Sequence, residues 1–294
     1  MQPTGNRGNT MNMAALSGGE RTLRSVRPIT FGFAFAMLIA GCAKQPVNPS
    51  FAVSKADAGR AIKAMAKEQK PLERPVVVLG GYQDIGLGPA TFLPKFREAI
   101  RGDDNRLVSV TYFFSGSFDD CRHEVIKAVE KKFPSGEDAN ETVEVDVVGL
   151  SMGGIVARYA ALERPGEKRL KIKRLFTISS PHRGAVRASL PTVHQLHRDL
   201  RSGSKFLRDL EAAEDANGGR DYEIVPYVRL GDWIVGAENA APRDAAAAYW
   251  VPNPPLDSAH WGAPADPRIV ADIARRLRGE TPFTTTQPTS LPAS

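Results

Sequence analysis

The sequence predicts a three-layer α/β sandwich, in which helices cover both faces of a mostly parallel, doubly wound sheet. Two observations predict it. Short apolar runs rich in β-branched residues alternate with longer segments whose apolar residues recur at helical spacing. The run 75–79 is apolar throughout, as expected of a strand covered on both faces. Strands that alternate with helices pair in parallel through right-handed crossovers, which gives this architecture.

The elements can be placed in order along the chain. Predicted helices cover residues 53–69, 89–100, 119–133, 155–162 and 267–277. Predicted strands cover residues 75–79, 106–114, 143–150, 170–178 and 222–231. The chain then divides into a targeting segment (1–41), a tether with an N-terminal helix (42–74), the α/β domain (75–280) and a tail (281–294). The tail is polar and rich in Pro and Thr, so we expect it to be disordered.

A sharp turn between a strand and a helix carries the main chemical signal. Residues 149–153 read GLSMG, which fits the G-x-S-x-G pattern of a nucleophile elbow with Ser151 at its tip. A serine in a strained turn leaves little room for side chains two positions away, so glycines are expected there. The helix that follows directs its N-terminal N–H groups and the positive end of its dipole at the same place. A purely structural turn is the alternative.

Candidate partners of Ser151 lie beyond the elbow. Serine is a weak nucleophile at its own pKa, so it needs a base within hydrogen-bonding distance and an acid that orients the base. In an open parallel sheet, such groups are sought at the carboxyl ends of strands. Asp232 is the first acid past the strand 222–231, and His260 lies in a loop before the last predicted helix. The chain order Ser151, Asp232, His260 is the order expected for an α/β hydrolase.

Other interpretations of these residues remain open at this point. Asp232 is alternatively a turn acid or a cap, with Glu223 or Asp257 in its place. His182 is the rival base, but it directly follows a predicted strand, and this position favours a role in shaping the loop.

Over residues 75–278 the chain resembles α/β hydrolases of the lipase and esterase kind, such as GPI inositol-deacylases and triacylglycerol lipases. Three stretches besides GLSMG carry the resemblance. VVLGGY (77–82) resembles the oxyanion strand and loop, TISSPHRGA (177–185) resembles the T-x-x-S/T-P-H-x-G segment of lipases, and GSKFL (203–207) resembles a lid-region motif. At Gly80 the chain departs from the His-Gly pair of many lipases, which bears on the shape of the oxyanion loop.

This resemblance implies a serine-hydrolase mechanism. Ser151 attacks an acyl carbonyl, His260 accepts its proton, and Asp232 orients His260 and stabilises the imidazolium. The backbone N–H groups of Met152 and Tyr82 bind the oxyanion, and each donor is worth about 3–4 kcal/mol of barrier in comparable sites. Water then releases the acyl-enzyme. The mechanism requires no cofactor and no metal.

The segment 183–221 interrupts the alternation of strands and helices and mixes leucines with many charges. Its position makes it a candidate cap over the active site, and the alternative is a pair of amphipathic helices that cover the sheet. His194 and His197 fall within it and are expected to be solvated. The charges of this segment are typical of a solvated face.

Charge and cysteine content exclude some functions. The net charge is +6, and residues 1–41 contribute four Arg against one Glu, or +3, which leaves 6 − 3 = +3 for the rest. This excess is too small to require a nucleic-acid partner. The histidines and cysteines show no zinc-site spacing, and Cys121 has no partner if Cys42 is modified.

The N-terminal segment resembles a bacterial lipoprotein signal. Three arginines precede the apolar run 29–40, which is shorter than the roughly 20 residues of a membrane-spanning helix. LIAGC (38–42) resembles a lipobox, in which cleavage occurs before the cysteine and Cys42 carries diacylglycerol, a stable anchor. A cleaved secretory signal with an incidental cysteine is the alternative. The segment 1–20 is long for such a signal, so Met11 and Met13 are candidate starts.

The sequence therefore predicts a carboxylesterase or lipase-like serine hydrolase, anchored by lipid in the bacterial cell envelope, with the periplasmic side of the outer membrane favoured. Its partners are a small-molecule or lipid ester and the membrane, and its oligomeric state is left open. Secretion to the periplasm is the alternative location. An acyltransferase or amidase with the same triad, and a non-catalytic envelope lipoprotein with this fold, are the alternative functions.

Overall fold

The computed structural model describes residues 45–292, except residues 83, 85, 137, 138, 246 and 286. Six strands form one sheet in the order β2-β1-β3-β4-β5-β6, and every neighbouring pair is parallel. The strands are β1 (Val76–Leu79), β2 (Leu107–Val110), β3 (Val145–Leu150), β4 (Ile172–Ile178), β5 (Glu223–Arg229) and β6 (Tyr249–Val251). The helices are α1 (Lys55–Lys67), α2 (Leu87–Ala99), α3 (Phe118–Lys132), α4 (Met152–Ala161), α5 (Gln195–Asp199), α6 (Lys205–Ala216), α7 (Ala259–Gly262) and α8 (Pro267–Leu277).

Each face of the sheet is covered by its own helical layer, which confirms the predicted sandwich. Along β1, Val76 and Val78 point to one face and Val77 and Leu79 to the other, because successive side chains of a strand alternate. The first pair packs in a core with α1, α2 and α8, and the second pair packs in a core with α3, α4 and α6. Both β1 and β3 are buried along their whole length.

The short edge strands are where the sequence prediction is least accurate. The strand predicted at 106–114 ends at Val110, and residues 111–117 form a loop. Strand β6 has only three residues and was not predicted, because a run of this length shows no usable periodicity. It nevertheless extends the sheet by one strand beside β5 and leads into the segment that carries His260.

The C-terminal segment packs against the domain, which corrects the disorder predicted for residues 281–294 as far as residue 292. The buried Asp272 carboxylate accepts hydrogen bonds from the backbone N–H of Thr284 and from its hydroxyl, both at 2.9 Å. Further along, the Trp250 indole N–H donates to the Ser290 carbonyl at 3.1 Å. The polar composition hides these contacts, because the segment is held largely by hydrogen bonds to specific core groups, with only Phe283 and Leu291 of the described residues packing against apolar clusters.

The described part of the predicted tether is also packed. Phe51 is buried and lies against the rings of Tyr227 and Tyr249. The Asn48 side-chain amide donates to the Trp250 carbonyl at 2.7 Å. The chain is therefore part of the domain from Gln45 onward, and this compact unit spans Gln45–Ser294.

Candidate active site

The nucleophile elbow is formed where β3 ends and α4 begins. Ser151 lies between Leu150 and Met152 with φ 51° and ψ −123°. A positive φ at a residue other than glycine costs about 1–3 kcal/mol and persists only where the surroundings enforce it. The Ser151 backbone N–H donates to the Ile178 carbonyl at 2.9 Å, which holds the turn against the end of β4. The predicted strand, turn and helix are thus in place.

Close backbone contacts explain the glycines of GLSMG. A Cβ atom on Gly149 would lie 2.5 Å from the Gly154 Cα, and one on Gly153 would lie 2.4 Å from the Leu79 carbonyl oxygen. Backbone atoms of a neighbouring strand or helix turn cannot move aside as a flexible side chain can. Both positions therefore require glycine for the helix to start so close to the sheet.

Ser151, His260 and Asp232 form a continuous hydrogen-bonded chain. The His260 Nε2 lies 3.1 Å from the Ser151 Oγ, and the His260 Nδ1 lies 2.9 Å from the Asp232 Oδ2. Asp232 and His260 are buried, whereas Ser151 is partly open. A neutral His260 that donates from Nδ1 to Asp232 has its Nε2 lone pair directed at the serine hydroxyl.

Asp232 is held as a carboxylate at the carboxyl end of β5. Burial by itself raises its pKa, but the hydrogen bonds that it accepts from His260 and from the Val235 backbone N–H lower the pKa below its usual value. The Oδ1 atom accepts the backbone N–H groups of Ile234 and Val235, both at 3.1 Å. Asp232 thus enters the site ionised and with a fixed orientation.

His260, expected in a loop, lies in the short helix α7, and the segment around it is held by a buried ionic cluster. The Arg229 Nε lies 3.0 Å from the Asp266 Oδ2, and the Arg229 Nη1 lies 2.7 Å from the Asp257 Oδ2. Asp266 also binds Arg268 at 2.7 Å. These pairs bracket His260 on both sides in the sequence. Asp257, one of the two alternative acids, is therefore engaged with Arg229.

The remaining candidates lie elsewhere. Glu223 begins β5 at the opposite edge of the sheet from Ser151. His182 is fully buried, with its Nε2 3.0 Å from the Thr177 Oγ1 and its Nδ1 3.3 Å from the Arg158 Nη1. Burial and then the charge of Arg158 hold the His182 pKa well below its usual value, so the ring is neutral. His182 fixes the loop after β4, as its sequence position favours.

The two predicted oxyanion donors flank Ser151. Met152 is the first residue of α4, where N-terminal N–H groups have no partner within the helix. On the other side Gly81 is so close that a Cβ on it would lie 3.4 Å from the Ser151 Cβ, and Tyr82 follows directly. The Asp84 carboxylate ties this loop together by accepting N–H groups of three glycines: Gly81, Gly86 and Gly88.

A cavity of about 510 Å³ opens above Ser151. Most of its lining is apolar, and the apolar side chains include Leu87, Leu150, Ile178, Leu200, Ile234, Val235 and Trp261. Such a cavity accommodates an apolar group beside the serine, since polar partners are few. Besides Ser151 and His260, the polar side chains of the lining include Asp84, Thr91, Arg187 and His197.

The segment predicted as a cap divides into two parts. Ala185, Ala188 and Leu200 line the cavity, as a cap would. Helix α6 instead covers the sheet, because Phe206 stacks on Phe118 of α3 at 4.0 Å between ring centroids and Glu214 forms a buried ion pair of 2.6 Å with Arg158 of α4. Only the part before α6 is therefore positioned over the site.

Two cavity residues were not recognised from the sequence. His197, expected to be solvated, lines the cavity and contacts the Tyr82 ring at 5.8 Å between centroids. Burial and then Arg201 lower the pKa of His197 below its usual value. Ser179 follows β4 with φ 51°, and its buried hydroxyl is near enough to Asp232 to help lower the pKa of that carboxyl, although it makes no hydrogen bond of normal geometry among the described residues. The sequence signal that pointed to Ser179 was its position within the lipase-like TISSPHRGA segment.

Some sequence predictions concern residues outside the described part of the chain. Cys42 and the predicted signal lie outside the described residues. Within residues 45–292, as far as these are described, no helix is long and apolar enough to cross a membrane. The same part of the chain contains no group of three or more His, Cys, Asp or Glu side chains that could hold a metal ion.

Comparison with known proteins gives one family match, over part of the chain. A family model described as the PGAP1-like alpha/beta domain matches residues 119–226, which contain the elbow. No curated protein matches the chain at a significant level.

Several solved structures are similar. The product of gene lin2722 from Listeria innocua is 15% identical, with a TM-score of 0.50, over 74% of this chain and 97% of that one. Phospholipase PlaB from Legionella pneumophila is 12% identical, with a TM-score of 0.49, over 71% of this chain, which spans only 60% of PlaB. Lipase BlEst2 of Bacillus licheniformis is 14% identical, with a TM-score of 0.46, over 72% of this chain and 94% of the lipase. At these identities, the likeness concerns the fold.

Proposed function

We propose that this chain, an α/β hydrolase of the lipase and esterase kind, cleaves carboxylic esters with Ser151 as nucleophile, His260 as base and Asp232 as the orienting acid. The observation that carries the proposal is the hydrogen-bonded chain from the Asp232 Oδ2 through both nitrogens of His260 to the Ser151 Oγ, at 2.9 and 3.1 Å. Serine, base and acid at these distances are the arrangement that activates a hydroxyl.

The first half of the reaction forms an acyl-enzyme. The Ser151 Oγ attacks the ester carbonyl carbon while its proton passes to the His260 Nε2, and the carbonyl oxygen becomes an oxyanion. The N–H groups of Met152 and Tyr82 stabilise this oxyanion. The imidazolium of His260, paired with ionised Asp232, then gives its proton to the alcohol oxygen as the C–O bond breaks.

The second half releases the acyl group. Water gives a proton to the His260 Nε2 and attacks the acyl carbon, which forms a second oxyanion at the same place. When this intermediate collapses, the proton returns to the Ser151 Oγ and the carboxylic acid leaves. The same residues therefore serve both halves, and no group beyond the chain and water is required.

The cavity supports an ester with an apolar acyl group as the substrate. Its volume of about 510 Å³ and its lining by Leu150, Leu200 and Ile234 favour hydrocarbon beside the serine. Burial of apolar substrate surface contributes about 25 cal/mol per Å². We propose that the acyl group comes from a lipid, because the lipobox-like sequence that ends at Cys42 suits a membrane-anchored enzyme of the bacterial cell envelope.

A labelling and turnover experiment tests the proposal. Wild-type protein is expected to react with a fluorophosphonate probe on the peptide that contains Ser151, and to hydrolyse p-nitrophenyl esters of short and longer acyl chains. Ser151→Ala is expected to lose both activities, and the matched Ser135→Ala variant, remote from the site, is expected to keep both. Turnover by Ser151→Ala equal to that of the wild type contradicts the proposal. Ester or amide products formed with added alcohol or amine acceptors would indicate an acyltransferase.

The anchor is tested separately in a bacterial host. The wild-type chain is expected to incorporate radiolabelled palmitate and to fractionate with the envelope membranes. Cys42→Ser is expected to lose the label. A labelled Cys42→Ser chain, or an unlabelled wild type, contradicts lipidation at Cys42 without bearing on hydrolysis.

A further inference from the structure

The exposed large apolar side chains of this domain are gathered at one edge of the sheet. Because all six strands are parallel, their carboxyl ends share an edge, which we call the carboxyl edge. Of the ten such side chains among the described residues, Val47 lies in the N-terminal segment, and nine lie in segments that follow the strands at this edge: Leu87, Phe113, Phe114, Val186, Leu190, Val193, Trp233, Leu256 and Trp261. The opposite loops, as far as they are described, contain none. Scattered exposure is ordinary, but this one-sided distribution requires an explanation.

Leu256 shows that the exposed apolar side chains at the carboxyl edge do not stabilise the folded protein. Its side chain is fully exposed, and its backbone has φ 63°, a conformation that a bulky residue adopts only under strain. The side chain therefore gains no stabilisation by burial, while the backbone is strained. Phe114 and Val193 are 96% and 85% exposed, so they also contribute little to the core. Phe114 meets the half-exposed Phe113 ring edge to face at 5.0 Å between centroids, and this pair remains open to solvent. We therefore assign a contact outside the chain to these three side chains.

The N-terminal end of the domain lies at the same edge. The Gln45 side-chain amide donates to the Asn253 carbonyl at 3.0 Å, and Asn253 lies between the end of β6 and Leu256. Cys42 precedes Gln45 by three residues, which span at most about 10 Å when fully extended. A lipid on Cys42 would consequently hold the carboxyl edge close to the bilayer surface.

We propose that the domain docks on a phospholipid bilayer through its carboxyl edge, so that the cavity mouth faces the membrane that holds the lipid anchor. This inference rests on the proposed function, which supplies the lipid ester that would enter the cavity from the membrane. Leu87 and Trp261 belong both to the cavity lining and to the exposed set. An ester can thus pass from the bilayer to Ser151 without crossing water.

A bilayer suits this surface better than a protein partner does. The nine side chains come from five separate segments, and a fluid interface accepts separate apolar tips, whereas a protein interface needs a continuous packed core. Trp233 and Trp261 are the residue type that favours the headgroup region. The loop 183–204 carries four Arg against one Asp, and its Arg187 guanidinium lies 4.3 Å from the Trp233 ring centroid. This local charge lets the loop 183–204 meet anionic headgroups, although Asp84, Asp232, Glu238, Asp257 and Asp266 offset it elsewhere along the edge.

The test uses the chain from residue 42 onward with Cys42→Ser, which keeps the whole compact unit and has no lipid. Binding to vesicles of phosphatidylcholine with phosphatidylglycerol is measured by co-sedimentation and by the tryptophan emission, since Trp233 and Trp261 are exposed. The variant Phe114→Ser/Val193→Ser/Leu256→Asn removes the three most exposed side chains, and asparagine tolerates the backbone at 256. The matched control, Lys131→Ser/Lys173→Ser, removes exposed charges near the opposite edge.

We expect the unlipidated parent and the control to bind these vesicles with a blue-shifted emission, and the triple variant to need about tenfold more lipid. Turnover of a soluble short-chain ester is expected to be equal in all three, which shows that the triple variant is folded. Absence of vesicle binding by the parent overturns docking while leaving ester hydrolysis untouched. A parent that dimerises in solution without binding vesicles, with a monomeric triple variant, overturns it in favour of an interface between two copies.

Discussion

The two halves of the site are held in different ways. The elbow around Ser151 is fixed by backbone contacts, since Gly149 lets the first turn of α4 pack directly on β3, and Gly153 lets it pack directly on Leu79 of β1. The half that carries His260 is fixed by side chains, because Arg229, Asp257 and Asp266 hold its loop by buried and half-buried ion pairs. One half therefore depends on shape and the other on charge, and substitutions can affect them separately.

The largest effect on turnover is expected from Asp232→Asn, which removes the carboxylate that pairs with His260 and leaves the elbow around Ser151 unchanged. An amide favours the wrong tautomer of His260 and removes the charge that stabilises the imidazolium. In comparable triads the turnover number falls by about 10⁴. Stopped-flow or steady-state kinetics of ester hydrolysis measure this fall in the turnover number.

The matched control for that variant is Asp257→Asn. Asp257 was an alternative acid in the sequence, but in the structure it pairs with Arg229 and is 43% exposed. We expect only a small loss of activity, because the asparagine oxygen can still accept from Arg229 and the buried pair of Arg229 with Asp266 is kept. Equal losses in the two variants would mean that Asp232 has no special place beside His260.

Gly153→Ala probes the shape-dependent half. The added methyl would lie 2.4 Å from the Leu79 carbonyl oxygen, and neither β1 nor α4 can retreat without disturbing both cores. We expect a loss of about 3 kcal/mol of unfolding free energy, with a displaced Ser151 and little probe labelling. Urea denaturation measures the loss.

Gly59→Ala is the control for Gly153→Ala. Gly59 lies in α1, and a Cβ there meets nothing within 4 Å. The same substitution is therefore expected to stabilise the protein by about 0.5–1 kcal/mol. Destabilisation of both variants to a similar degree would show that the close approach at Gly153 is not the cause.

Arg229→Met tests whether the ionic cluster positions His260. It leaves Asp266 buried with Arg268 as its remaining close partner and frees Asp257, so we expect a cost of about 3 kcal/mol in stability. The turnover number is expected to fall more than KM rises, because the histidine loop is displaced and the cavity is not. Arg243→Met, which breaks a pair at an exposed arginine, is the control and should change neither quantity.

The contrast between the halves also explains what the sequence could predict. The elbow is encoded by five consecutive residues, and the alternation of apolar runs gives the layers, so both were predicted and the fold is confirmed. The ionic cluster joins Arg229 to Asp257 and Asp266, residues far apart in sequence whose charges look like an ordinary solvated surface. The C-terminal segment likewise depends on Asp272, whose partners at Thr284 and Tyr227 cannot be identified from local composition.

Ser179 and His197 show the same limit inside the cavity. A serine and a histidine in loops have many ordinary uses, and only the approach of the loop after β4 to the Ser151 turn brings them to the site. Asp232 and His260 were predicted because strand ends narrowed the search. No comparable rule identifies, from the sequence, which residues of a cap segment line the cavity below it.

The smallest expected effect concerns His182, which lies behind the elbow and belongs to neither half. Its pKa is held well below 6.5 in the folded protein by burial and by Arg158, whereas in the unfolded chain the ring has its ordinary pKa. Below about pH 6.5 the unfolded chain therefore binds a proton that the folded protein rejects, and the unfolding free energy falls by about 1.4 kcal/mol per pH unit. Above that pH the contribution is complete and constant.

His182→Gln should remove this pH dependence, because glutamine can still meet Thr177 but does not titrate. The difference in unfolding free energy between the variant and the wild type, measured between pH 5 and 7, isolates the contribution of His182 from that of His197, which titrates in both proteins. The exposed His123 supplies the control substitution His123→Gln. An unchanged acid slope in His182→Gln would show that His182 is protonated in the folded protein, and that the Thr177–His182–Arg158 contacts do not hold a neutral ring behind the nucleophile.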